Sequence, residues 1–166
     1  MPIQKEGIWV GEASPSYCTH PLAPKRIKET VPNTKLILIV RNPVERAISN
    51  YFHSVNYGVE DLAIEDAFNR PMADFESEYA KMENSEVYHS KLYHRHDYIH
   101  KGHYAFHLKK WFEHFNKKQL LIVENAHLLE TPERVYQEVL EFLGLETFTP
   151  NAFQKHNVGK TKQVSP

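Results

Sequence analysis

The chain reads as an α/β fold with a parallel sheet flanked by helices, on three observations. Residues 36–40, LILIV, form a short continuous apolar run rich in branched side chains, the pattern of a strand buried on both faces. Residues 119–123, QLLIV, form a second such run. Upstream, residues 7–40 alternate strand, helix and strand, a unit whose right-handed crossover makes its strands parallel. Ligands of such sheets bind outside the carboxyl ends of the strands. Glu12 and Arg41 both fall there.

The elements follow in order. Residues 7–11 read as a strand ending at Glu12, and Ser14-Pro15 makes a turn. Residues 24–30 read as a helix with Ile27 inward, closed by Pro32-Asn33 before the strand at 36–40. Asn42 is a good N-cap and Pro43 a good first helical residue, so a helix begins there and runs to about Val55, with Gly58 ending it. Residues 64–68 suggest a short helix, and 72–86 an acidic stretch that is partly helical. From 100 to 115, Tyr104, Leu108, Trp111, Phe112 and Phe115 make a helical stripe, with Leu108, Trp111 and Phe115 assigned to the core. A last helix spans 132–143, capped by Thr131 and ended by Gly144. No internal repeat or linker interrupts the chain, which is expected to form a single, partial domain over residues 1–166.

The segment from Lys35 to Ser54 places one arginine and one serine where a strand runs into a helix. Arg41 ends the strand, and Ser49 lies eight residues on, roughly two turns at about 3.6 residues per turn. A guanidinium offers a bidentate fork to phosphate oxygens, and free backbone N–H groups with a hydroxyl can complete the cradle. Two readings stay open here: an anion site, or an arginine paired with a carboxylate beside an ordinary surface serine.

Composition sets limits. The chain has 166 residues, 41% of them hydrophobic and 25% charged, enough for one core. Its net charge of −1 supplies no basic field for nucleic acid. The single cysteine, Cys18, excludes an internal disulfide, gives no zinc pattern and fits a reducing compartment. No secretory leader is evident, and no run approaches the roughly 20 apolar residues of a membrane span. A soluble, cytoplasmic protein is the expectation from the chain as it stands.

Histidine is the compositional anomaly, with 11 in all. His103 and His107, four apart, can share a helix face and take a third metal ligand from His100 or His96. The HExxH arrangement is absent, so a metal-binding module is a lesser alternative and no metal ligand is assigned. One of these histidines can instead serve as base toward an acceptor hydroxyl.

Taken together, Arg41, Asn42, Pro43, Glu45, Arg46 and Ser49 resemble the 3′-phosphate motif of the sulfotransferase domain family, whose donor is 3′-phosphoadenosine 5′-phosphosulfate and whose nucleotide product is 3′-phosphoadenosine 5′-phosphate. The likeness extends upstream through VGEASPSYCTHPLAPKRIKETVPNTK and downstream through GHYAFHLKKWFEHFNKKQLLIVENAHLLETPERVYQEVLEFLGL. HNVGK is similar to the family's late basic loop that closes over the nucleotide. Residues 56–93 are the variable stretch. The resemblance implies a P-loop-NTPase-like sulfotransferase fold, N-terminally truncated. It implies donor binding by Arg41 and Ser49, with Lys160 as a late-loop contact, and Tyr104 matches the family's helix tyrosine near the nucleotide.

Two departures qualify this. The family holds the 5′-phosphosulfate in a glycine-bearing loop with a lysine, upstream of anything aligned here, and the six glycines of this chain are not clustered. The chain is therefore expected to be a fragment of a longer protein or a reduced domain. Relatives acting on heparan-type sugars carry a lysine after the strand glutamate, where this chain has Ala13. Glu12 is the candidate general base, a role that burial favours by raising a carboxyl pKa. The plainer reading of Glu12, a strand-end carboxylate paired with a basic side chain, is preferred. The expected activity is sulfuryl transfer to a hydroxyl or amine of a small-molecule or carbohydrate acceptor. Its alternative is a non-catalytic nucleotide-binding or interaction domain. The oligomeric state is left open.

Overall fold

A computed structural model describes residues 10–154. It is α/β: strands β1 (Leu36–Val40) and β2 (Leu120–Glu124) pair in parallel, Leu36 opposite Leu120 through Val40 opposite Glu124. Around them lie eight α-helices among the described residues: α1 (Ala23–Thr30), α2 (Pro43–Asn56), α3 (Ile64–Phe68), α4 (Met72–Glu83), α5 (Lys91–His96), α6 (Tyr104–His114), α7 (Asn125–Glu130) and α8 (Pro132–Leu143).

Local chemistry explains where the elements begin and end. Asn42 caps α2 by accepting from the backbone N–H of Val44 at 3.0 Å and of Glu45 at 3.3 Å, and Pro43 supplies the first turn. Gly58, just past the end of α2, and Gly144, closing α8, both take positive φ, 66° and 76°, where a side chain is disfavoured. Thr131 flanks α8 as expected but does not cap it by its side chain. Its hydroxyl donates instead to the His127 carbonyl, tying off α7.

Three small cores hold the layers together. Ala23 on α1 meets Trp111 and Phe115 on α6, with Ile27 and Leu36 against them, so α1 and α6 cover one face of β1. Ala47 and Tyr51 on α2 pack with Ala67 and Tyr98. Tyr79, Met82 and Tyr93 join α4 to α5.

Several expectations need correction. β1 is not buried on both faces: Ile37 is 41% and Ile39 53% exposed, because α1 and α6 cover only the side that carries Leu36. Val10 to Ser14 form no strand, and the rest of the expected strand at 7–11 lies outside the described residues. The expected helix at 100–115 is two elements, a 3-10 turn at His100–Gly102 and then α6. Leu108 is only half-buried, beside exposed Phe112.

Candidate functional site

The carboxyl end of β1 runs directly into α2, and Arg41 stands at that junction. Its side chain is 44% exposed, and its Nε donates to Glu45 Oε2 at 3.1 Å. The bond occupies Nε and leaves the two Nη groups, the forked edge a phosphate takes in bidentate fashion. Of the two readings of Arg41, the carboxylate pairing is what the structure places here, and the forked edge is not used by that pair. Glu45 is exposed as well, so the pair contributes only about 0.3–0.5 kcal/mol to stability, and the carboxylate orients the arginine more than it anchors the helix.

The helix mouth is less open than an anion cradle needs. Asn42 already satisfies the Val44 and Glu45 N–H groups, and the Arg46 N–H donates to the Asn42 carbonyl at 2.9 Å. Side chains must therefore do most of the holding. Ser49 is exposed on α2. Tyr104, at the first position of α6, brings its hydroxyl within 3.4 Å of the Arg41 backbone N–H, which donates to it. A helix distant in sequence thus delivers a phenol to the strand end, beside the arginine.

Arg46 points the other way. One Nη donates to the Tyr98 carbonyl and the other to Asn50 Oδ1 at 3.5 Å, and its Nε is buried without a hydrogen-bond partner. Its role is to fasten the segment leading into α6. The signal for that lay in a charged residue next to Ala47 on a helix whose Ala47, Tyr51 and Ser54 face inward.

Other sequence candidates are placed differently. Glu12 is exposed in an irregular segment, so the burial that the base role called for is not found there. Lys160 lies outside the described residues. The histidines at 100 and 107 are packing groups: His107 is 1% exposed, its Nε2 is 3.2 Å from the His100 carbonyl, and burial lowers its pKa to about 4. His103 is exposed at the N-cap of α6. Among the described residues, no three His, Cys, Asp or Glu side chains are arranged to hold a metal. No helix among them is long and apolar enough to cross a membrane.

The sulfotransferase domain matches residues 14–160. Heparan sulfate glucosamine 3-O-sulfotransferase 3A1 of Mus musculus is 33% identical over 147 residues, 88% of this chain and 33% of that protein. The bifunctional heparan sulfate N-deacetylase/N-sulfotransferase 1 of Caenorhabditis elegans is 31% identical over 149 residues, 90% of this chain and 16% of that protein. A sulfotransferase from Alicyclobacillus acidocaldarius superposes with a TM-score of 0.67 at 26% identity, over 92% of this chain and 59% of that structure. The chain spans a third or less of these two curated relatives.

Proposed function

The chain belongs to the sulfotransferase domain family, and on that footing we propose that it forms the part of a donor site that holds the 3′-phosphoadenosine moiety of 3′-phosphoadenosine 5′-phosphosulfate. The observation that carries this reading is Arg41, held by Glu45 at the carboxyl end of β1 with its Nη fork uncommitted to that pair. The Tyr104 hydroxyl beside the Arg41 N–H and the exposed Ser49 hydroxyl further along α2 are the neutral groups this reading assigns to the same phosphate. These groups suit a phosphate: a charge-assisted fork for two oxygens, and hydroxyls that donate without adding charge. Lys160 joins the reading by resemblance alone, as a second positive group from the late basic loop.

When bound, the donor supplies a sulfuryl group for in-line transfer to an acceptor hydroxyl or amine, a reaction in which the protein chiefly positions and neutralises. This chain's residues bind and orient the nucleotide end. The reactive end calls for a glycine-bearing loop, and the glycines among the described residues serve elsewhere: Gly58 and Gly144 at helix ends, Gly102 against Pro43, Gly11 with nothing close to it. The acceptor is read as a carbohydrate, on the strength of relatives named for heparan sulfate. Ala13 offers no charged contact to a sulfate, and Glu12 is exposed in an irregular segment.

Calorimetric titration with 3′-phosphoadenosine 5′-phosphate tests it. Arg41→Ala should weaken binding by about 2 kcal/mol, roughly thirtyfold, the scale of a lost charged hydrogen bond. Unchanged affinity in that variant overturns the assignment.

A further inference from the structure

Between α5 and α6 the chain crosses the first turns of α2 as a tight strap, residues 97–103. Gly102 lies so close to α2 that a Cβ placed on it would stand 3.1 Å from Pro43 Cβ and 3.8 Å from an Arg46 Nη. Its φ is not in the positive region, so space and not backbone freedom requires glycine here. Arg46 reaches across from α2 to the Tyr98 carbonyl. Asp97, fully buried, closes the strap on itself: Oδ1 accepts from the Lys101 N–H at 3.3 Å, and Oδ2 lies 3.3 Å from His100 Nδ1. Lys101 fastens the far side by donating from Nζ to the His94 carbonyl at 2.8 Å. Two residues beyond Gly102, Tyr104 meets Arg41.

We infer that Gly102, Arg46 and Asp97 are positioning residues of the donor site: they press the strap onto Pro43 and so hold the Tyr104 hydroxyl on the Arg41 N–H. The inference rests on the donor-site reading for its consequence, but not for its geometry. The arrangement carries a cost, since Arg46 Nε is buried without a hydrogen-bond partner and Asp97 Oδ2 has only the His100 contact. Because Pro43 and Arg41 flank Asn42, any shift of the strap on α2 moves Tyr104 relative to the strand end directly. A methyl group at position 102 forces that shift by a few tenths of an ångström, enough to misplace a hydroxyl whose bond is already long at 3.4 Å.

Two measurements on the same variants test this. The first is amide hydrogen exchange at Arg41 in the 15N-labelled chain. Tyr104→Phe and Gly102→Ala should both speed it, by a similar factor of about ten, the scale of one lost hydrogen bond. Faster exchange in Tyr104→Phe with wild-type exchange in Gly102→Ala overturns the strap. The second is a double-mutant cycle on 3′-phosphoadenosine 5′-phosphate affinity: each single variant should bind about tenfold more weakly and the double variant no worse than either. A double variant about a hundredfold weaker, which is independent action, overturns it as well. If Gly102→Ala does not fold, Arg46→Lys, which keeps the charge but shortens the reach to Tyr98, is read in both assays with the same outcomes. Failure of Arg41→Ala to weaken binding would sink the donor-site reading alone, because the exchange measurement needs no nucleotide.

Discussion

Glu60 shows how one side chain fixes a stretch of sequence that has little pattern of its own. Its carboxylate is wholly buried, and it takes both Arg70 Nη groups at 2.7 and 2.9 Å, His96 Nδ1 at 3.0 Å, the Tyr98 hydroxyl at 3.0 Å, and the N–H groups of Asp61 and Leu62. The Arg70 guanidinium, foremost among these, holds the carboxyl far below the usual carboxylate range. Loop, helix and strap are tied through that one group: residues 60–62, the segment after α3, and the chain around Tyr98. Arg70→Ala leaves a buried charge without its cation, so the variant should lose about 3–5 kcal/mol in urea unfolding at pH 7. The pH dependence has a definite sign. A depressed folded value means the pair stabilises above the unfolded carboxyl's value of about 4.3 and loses that contribution as pH falls through the folded one. The gap between wild type and Arg70→Ala should therefore be full at pH 7 and narrow steadily below about pH 4. A gap that is constant down to pH 2 would contradict it.

At the scale of elements, legibility followed the strength of local signals. α2 was readable because Asn42 and Pro43 sit together at its start, and α8 because Pro132 and Gly144 bracket an amphipathic run. The short α3 is readable too, with Glu65 and Asp66 in its first turn, whereas α5 and α7 carry no acidic residue there to mark a helix start. α5 exists through contacts distant in sequence: Ser90 caps it at Tyr93, whose buried ring packs on Tyr79 and whose hydroxyl donates to the Thr19 carbonyl at 2.9 Å. The candidate site divides the same way. Arg41 and Ser49 are local to one strand-helix junction and could be named from it, whereas the inward turn of Arg46 depends on a strap some fifty residues away. α8 offers a clean test of the local kind. Gly144 closes it at φ 76°, and its nearest outside neighbour to an added Cβ is Lys35 Nζ, the flexible tip that also caps the helix at the Phe142 carbonyl. Gly144→Ala should cost about 1–2 kcal/mol in thermal or urea unfolding, from backbone strain and not from a clash. A neutral substitution would mean that the helix end relaxes out of the left-handed region.

For the whole molecule, the sheet is the point where this chain departs most from what its apolar runs suggested. LILIV reads as a strand covered on both sides, and the structure covers one. Ile37 and Ile39 lie about half exposed on the open side of β1, while Val123, opposite Ile39 on β2, is 5% exposed. The sequence pattern is correct for a doubly covered parallel strand; the described residues provide only part of the cover, in a chain that spans 59% of the solved bacterial sulfotransferase it superposes on. That difference has an energetic signature. A fully buried isoleucine cut to alanine loses about 2–5 kcal/mol, from transfer and from the cavity left behind. Ile39, 53% exposed, leaves no closed cavity and has little apolar area still to lose, so Ile39→Ala in these 166 residues should cost about 1 kcal/mol or less. Trp111→Ala on the covered side, where the indole is 6% exposed and its N–H donates to the Cys18 carbonyl at 3.0 Å, should cost about 3–5 kcal/mol in the same urea titration. Equal losses at the two sites would show that something in these 166 residues covers Ile39 after all.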